Sequence, residues 1–131
     1  MIPYGRQNIN QDDIDSVVKV LKSDFLTQGP ITPEFEKEVE NYCNVNHAVA
    51  VINATSALHL ACLALGVSQN DLVWTSPISF VASANCAKYC GAEIDFVDID
   101  IDSFNISVEA LEAKLKKAKR NGRVPKVLIV V

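Results

Sequence analysis

The 131 residues are 49% apolar and 21% charged, the balance of a single globular domain large enough to bury a core. A formal net charge of −4 argues against nucleic acid or an anionic membrane as the main partner. No apolar run approaches the ~18 residues of a membrane span, and the opening Met1-Ile-Pro-Tyr-Gly-Arg6 has no secretory apolar core.

Apolar residues at Ile14, Val17, Val18 and Leu21 predict a helix over 10–22, with Asn10 as its N-cap. Residues 25–30 read as a loop. Thr32 and Pro33 open a second helix, the threonine as cap and the proline in the first turn. Its apolar face is Phe35, Val39, Tyr42 and Cys43. An α/β rhythm then begins. Strands are expected over 48–52, 72–75, 94–97 and 127–131. Helices are expected over 55–65 and 80–89, and a third is capped by Ser107, with Gly66 and Gly122 as stops. Strands alternating with helices imply a three-layer α/β/α arrangement around a mostly parallel sheet. Such a unit needs further strands to cover its core. The sequence is therefore expected to be the N-terminal part of a longer protein; a natural ending in an edge strand is the alternative.

Cys43, Cys62, Cys86 and Cys90 lack paired CxxC spacing and read as reduced, packed thiols of a cytosolic protein, with no metal-site spacing among them. Lys and Arg cluster over 114–126. They are expected to form a solvated helix face placed favourably for the helix dipole.

The most informative stretch is Asn53-Ala-Thr-Ser56, between the expected strand ending at Ile52 and the following helix. Free backbone N–H groups at the positive end of a helix, beside two hydroxyls, make a cradle for a phosphate group. A capped helix without a ligand is the plain alternative. Glycine-rich dinucleotide and nucleoside-triphosphate loops are absent, and hydroxyls suit a single phosphate monoester. A second loop, Thr75-Ser-Pro-Ile-Ser-Phe80, leaves the same carboxyl edge of a parallel sheet. Phe80 is a candidate to stack on a planar ring, or else turns into the core. Asp98 and Asp100 read as turn formers, His59 as a packing or surface residue. No lysine, Lys88 included, has the setting of a nucleophile.

In order and spacing these segments resemble the DegT-type sugar aminotransferases. The pieces are Phe25-Leu-Thr-Gln-Gly29, the pair Phe35-Glu36, Asn53-Ala-Thr-Ser-Ala-Leu58, Ser76-Pro-Ile-Ser-Phe80 with Ala82, Ala84 and Asn85, Gly91-Ala92, Phe96-Val-Asp-Ile-Asp100, and Asn105-Ile106. The resemblance covers nearly the whole chain. It implies the N-terminal part of the large domain of a fold-type-I enzyme that uses pyridoxal 5'-phosphate. Residues 1–34 would be a helical arm and substrate loop, and residues 35–131 an incomplete cofactor-binding domain. By the same resemblance Ala54, Thr55 and Ser56 line the cofactor phosphate and Phe80 stacks on its ring. Tyr4, Asp24, Phe25, Leu26 and Thr27 face a nucleotide sugar, in this subunit's site or a neighbour's. Ala54 stands where the wider family usually has glycine.

Within the family the wording of these segments is most similar to a branch of the pseudaminic acid type pathway. That branch moves the amino group of L-glutamate to a UDP-linked 4-keto-6-deoxy sugar, in a cytoplasmic homodimer. The resemblance places the cofactor-holding lysine and the aspartate that pairs with the ring nitrogen beyond Val131. The 131 residues alone are thus expected to be inactive. Alternatives are a sugar dehydratase of the same family, a transaminase for another nucleotide sugar, and a non-catalytic module binding a phosphorylated metabolite.

Overall fold

The computed structural model describes residues 2, 3 and 5–131. They form two compact units, Met1–Ala50 and Val51–Val131. The division falls after α2 (Ile31–Cys43), a helix that runs through position 34 where the sequence reading parted the chain.

In the first unit, α1 (Gln11–Leu21) begins as expected at Asn10. The Asn10 Oδ1 accepts from the Asp12 and Asp13 N–H groups at 2.8 and 3.1 Å, and Asp13 returns a carboxylate to the Asn10 N–H at 2.9 Å. This reciprocal box satisfies donors that a bare helix start leaves unpaired. The stripe of Ile14, Val17, Val18 and Leu21 is present, but no residue of α1 is buried. Helix α2 starts earlier than Thr32: Pro30 occupies the cap position and no side chain caps it. Pro33 still falls in the first turn, where its missing N–H has no helical carbonyl to serve.

The expected strand over 48–52 does not form. The Ala50 N–H donates to Glu36 Oε1 at 2.8 Å and the Ala48 N–H to Glu40 Oε1 at 3.3 Å, both acceptors on α2. Two amides on one edge of the segment are thus held by carboxylates, and no described strand supplies a ladder. Apolar alternation alone does not make a strand without a hydrogen-bonded neighbour.

In the second unit, α3 (Ala54–Ala64), β1 (Leu72–Thr75), α4 (Ala82–Tyr89), β2 (Glu93–Phe96), α5 (Val108–Arg120) and β3 (Val127–Ile129) follow in the expected alternation. The sheet has order β2-β1-β3 and every pairing is parallel. Val73 stands opposite Ile94 and Val127. Strand residues alternate between two cores, as a period of two requires. Val73, Ile94, Val127 and Ile129 pack with Cys62, Cys86 and Ala87 of α3 and α4. Leu72, Trp74 and Leu128 pack with Ala110, Leu111 and Ala118 of α5. The three-layer α/β/α expectation holds. Ser107 caps α5, its Oγ accepting from the Ala110 N–H at 3.1 Å. Gly66 and Gly122 end α3 and α5 at φ +69° and +66°, the left-handed region in which a helix terminates at little cost only with glycine.

Candidate functional site

Asn53 has extended backbone, and its Oδ1 accepts from the Ser56 N–H at 2.9 Å, which starts α3. The first intrahelical bond runs from the Ala57 N–H to the Asn53 carbonyl. The N–H groups of Ala54 and Thr55 and the hydroxyls of Thr55 and Ser56 have no partner among the described residues. Four donors are left on one turn at the positive end of a helix. No acidic residue lies in that turn to repel an anion. Thr55 and Ser56 are half-buried, and Ala54 is exposed. The backbone of Ala54 is helical, so the position does not itself demand glycine. The donor set fits a phosphate monoester.

The second loop follows Thr75 at the carboxyl end of β1. From this middle strand the chain passes through α4 to β2 on one side, then through α5 to β3 on the other. Open α/β sheets bind ligands outside the carboxyl ends of strands at such a reversal. A cavity of about 150 Å³ lies there, lined by Thr75, Ser76, Ser79, Phe80, Ser83 and Phe96 among others. Thr75 is 1% exposed and its Oγ1 has no partner among the described residues. Buried Ser76 donates to the Val131 carbonyl at 3.3 Å. The Ser79 and Ser83 hydroxyls are 3.1 Å apart. Phe80 is 75% exposed, so its ring does not turn into the core of this unit. The cavity includes none of Ala54, Thr55 and Ser56. The buried hydroxyl of Ser83 was missed in the sequence. Its partner Ser79 lies in the loop before α4, so no helical spacing in the sequence marked the pair.

Asp24, Phe25, Leu26 and Thr27 are all exposed in the first unit. Their loop is bent where the Ser23 hydroxyl lies 2.7 Å from the Val20 carbonyl and 3.0 Å from that of Phe25. Tyr4 lies outside the described residues.

The other candidates have structural roles. Asp98 Oδ1 accepts from the Ile99 N–H at 2.9 Å. Asp100 Oδ1 accepts from the N–H groups of Ser103 and Asp102 at 2.8 and 3.2 Å, and the Ser103 amide above all holds its carboxyl below the usual range. Both are turn formers. The His59 ring meets Tyr89 edge-on at 5.3 Å. Burial, reinforced by the neighbouring Cys86 thiol, pushes the Cys62 thiol up to about 12, which leaves it an unreactive core group. Cys43 is exposed, against the expectation that all four thiols are packed.

The basic stretch is the expected solvated helix face at Lys116, Lys117, Lys119 and Arg120, the last three in the final turn of α5, but three of its other cations are paired outside α5. Lys114 Nζ lies 2.7 Å from Asp95 and 5.0 Å from the centre of the Trp74 ring, and it also donates to the Phe96 carbonyl. Arg123 pairs with Glu93 at 2.5 Å. Lys126 binds Asp71 at 2.9 Å and the Gly66 carbonyl at 2.6 Å. Lys114 and Arg123 tie α5 and the turn after it to the edge strand β2, and Lys126 ties the start of β3 to the residue before β1, while Arg123 and Lys126 stay exposed. A wider groove of about 740 Å³ runs between β2 and α5, and the Lys114–Asp95 and Arg123–Glu93 pairs lie in its walls.

A model of the DegT/DnrJ/EryC1/StrS aminotransferase family matches residues 7–131. The UDP-4-amino-4,6-dideoxy-N-acetyl-beta-L-altrosamine transaminase of Campylobacter jejuni is 47% identical over 121 residues, which cover 92% of this chain and 32% of that protein. A DegT/DnrJ/EryC1/StrS aminotransferase from Brucella abortus superposes with a TM-score of 0.81 at 35% identity, over 89% of this chain and 32% of that one. Helicobacter pylori PseC, an aminotransferase involved in the biosynthesis of pseudoaminic acid, gives a TM-score of 0.81 at 31% identity, over 98% of this chain and 33% of that one. The chain thus spans about a third of the length of the relatives it matches.

Proposed function

The chain belongs to the DegT/DnrJ/EryC1/StrS aminotransferase family, and from that premise we propose that the whole protein is a pyridoxal-phosphate transaminase. It moves the amino group of L-glutamate to a UDP-linked 4-keto-6-deoxy sugar, in a pathway of the pseudaminic acid type. When bound, pyridoxal phosphate supplies an electron sink for the bonds at the amino acid's α carbon.

The residues of this chain bind and orient. The N–H groups of Ala54 and Thr55 and the hydroxyls of Thr55 and Ser56 hold the phosphate. Fixing that end turns binding energy into alignment of the reacting carbon. Phe80 covers one face of the ring with an apolar surface that excludes water. Asp24, Phe25, Leu26, Thr27 and Tyr4 face the nucleotide sugar, in the same or the neighbouring subunit of a homodimer. No lysine lines the cavity at the end of β1. The lysine that holds the cofactor and the aspartate beside the ring nitrogen are assigned to sequence outside these 131 residues. The 131 residues alone bind the phosphate ester and transfer no amine.

The observation that carries this reading is the set of unpartnered donors in the acid-free first turn of α3. Titration of the whole protein, freed of cofactor, with pyridoxamine phosphate tests it. The T55A/S56A double variant loses two hydrogen bonds to a charged group and is expected to bind at least about tenfold more weakly. Unchanged affinity overturns the assignment.

A further inference from the structure

Phe80 presents a problem of positioning. Its ring is 75% exposed, so packing within this unit does not fix it. Its place is set by its backbone, in a loop between β1 and α4 with no ladder or helix of its own. The Phe80 carbonyl accepts from the Ser83 N–H at 3.1 Å, and the Ser79 hydroxyl lies 3.5 Å from the same oxygen. The Ser79 hydroxyl in turn lies 3.1 Å from that of Ser83, which is 7% exposed at the start of α4. Ser83 therefore acts on the Phe80 carbonyl twice, directly through its amide and indirectly through Ser79. Exposed Ser79 would otherwise have water to bond; buried Ser83 gives it one fixed partner.

We propose that Ser83 is a positioning residue for cofactor binding: its hydroxyl, acting through Ser79, holds the Phe80 backbone so that the ring meets the cofactor face. The inference rests on the proposed role of Phe80. Ser83 does not touch the cofactor. Its contribution is the placement of the Phe80 backbone, from which the exposed ring projects.

The test is a cycle of S79A, S83A and the S79A/S83A pair in the whole protein, freed of cofactor and titrated with pyridoxamine phosphate. A thermal melt of each variant accompanies it. Each single variant is expected to bind about fivefold more weakly, the effect of one net hydrogen bond. The double variant is expected to be no worse than either single, because the two hydroxyls act as one link. S83T, which restores a hydroxyl, recovers affinity. Wild-type affinity in either single variant overturns the proposal, and so do losses that multiply in the double. Should S83A fail to fold, S79A decides alone, since its side chain is exposed. Failure of the unmodified protein to bind the probe removes the functional reading itself, and this inference with it.

Discussion

Thr75 and Phe80 close the two ends of one loop and meet opposite fates, one buried with an unpartnered hydroxyl and the other with its ring in solvent. Nothing in the local sequence distinguishes an apolar residue that turns inward at a helix start from one that stays outside. The choice depends on Ala82, Cys86 and Ala87, which take the core positions of α4. Asp71 shows how far a residue's role depends on distant sequence. Its carboxylate accepts from Lys126, 55 positions away, and from the Ser68 N–H at 2.8 Å. The Lys126 bond first, then the Ser68 amide, hold its pKa below the ordinary carboxylate value. A depressed folded-state pKa contributes stability that is present above the unfolded value of about 4 and lost as pH falls through the folded one. D71N is therefore expected to be less stable than the unmodified protein at neutral pH. The gap should narrow as pH falls below about 4, because the unfolded-state carboxyl is protonated there. Thermal melts of the pair between neutral and acid pH check this; a constant gap contradicts it.

At the scale of elements, legibility followed the hydrogen-bond partner. The β1 strand matched its expected bounds because Leu72 to Thr75 are flanked on both sides by strands within the chain. Residues 48–52 carry the same apolar character but find carboxylates of α2 instead of a neighbouring strand. Helix ends were legible where a side chain marks them. Asn10, Asn53 and Ser107 each accept from the first turn. The start of α2 was misplaced because Pro30 begins it with no such bond. Ser107→Ala is expected to cost about 1 kcal/mol, the usual value of an N-cap hydroxyl. Because α5 covers the Trp74 face of the sheet, that loss should appear in denaturant unfolding as a lower midpoint at unchanged slope. An unchanged midpoint would mean that the cap bond is replaced by water at no cost.

For the molecule as a whole, strand–helix alternation was enough to give the layers, and the two cores follow from which strand residues face which helices. The start of α3 was legible for the same local reason as the other caps: Asn53, Thr55 and Ser56 announce a helix start, and the N–H groups of Ala54 and Thr55 in its first turn have no partner among the described residues. The cross-element pairing of the basic stretch was not legible. Its partners Asp71, Glu93 and Asp95 lie on other elements, and only the fold brings them together. The chain matches relatives about three times its length, so the proposed exchange of amino groups between L-glutamate and a nucleotide-linked keto sugar belongs to the whole protein. The most direct measurement mixes the whole protein, loaded with pyridoxal phosphate, first with L-glutamate and then with a UDP-linked 4-keto-6-deoxy sugar. The account predicts one equivalent of 2-oxoglutarate per site in the first step and the 4-amino sugar in the second. Loss of a sugar hydroxyl without amine transfer, or no reaction with either substrate, would contradict it.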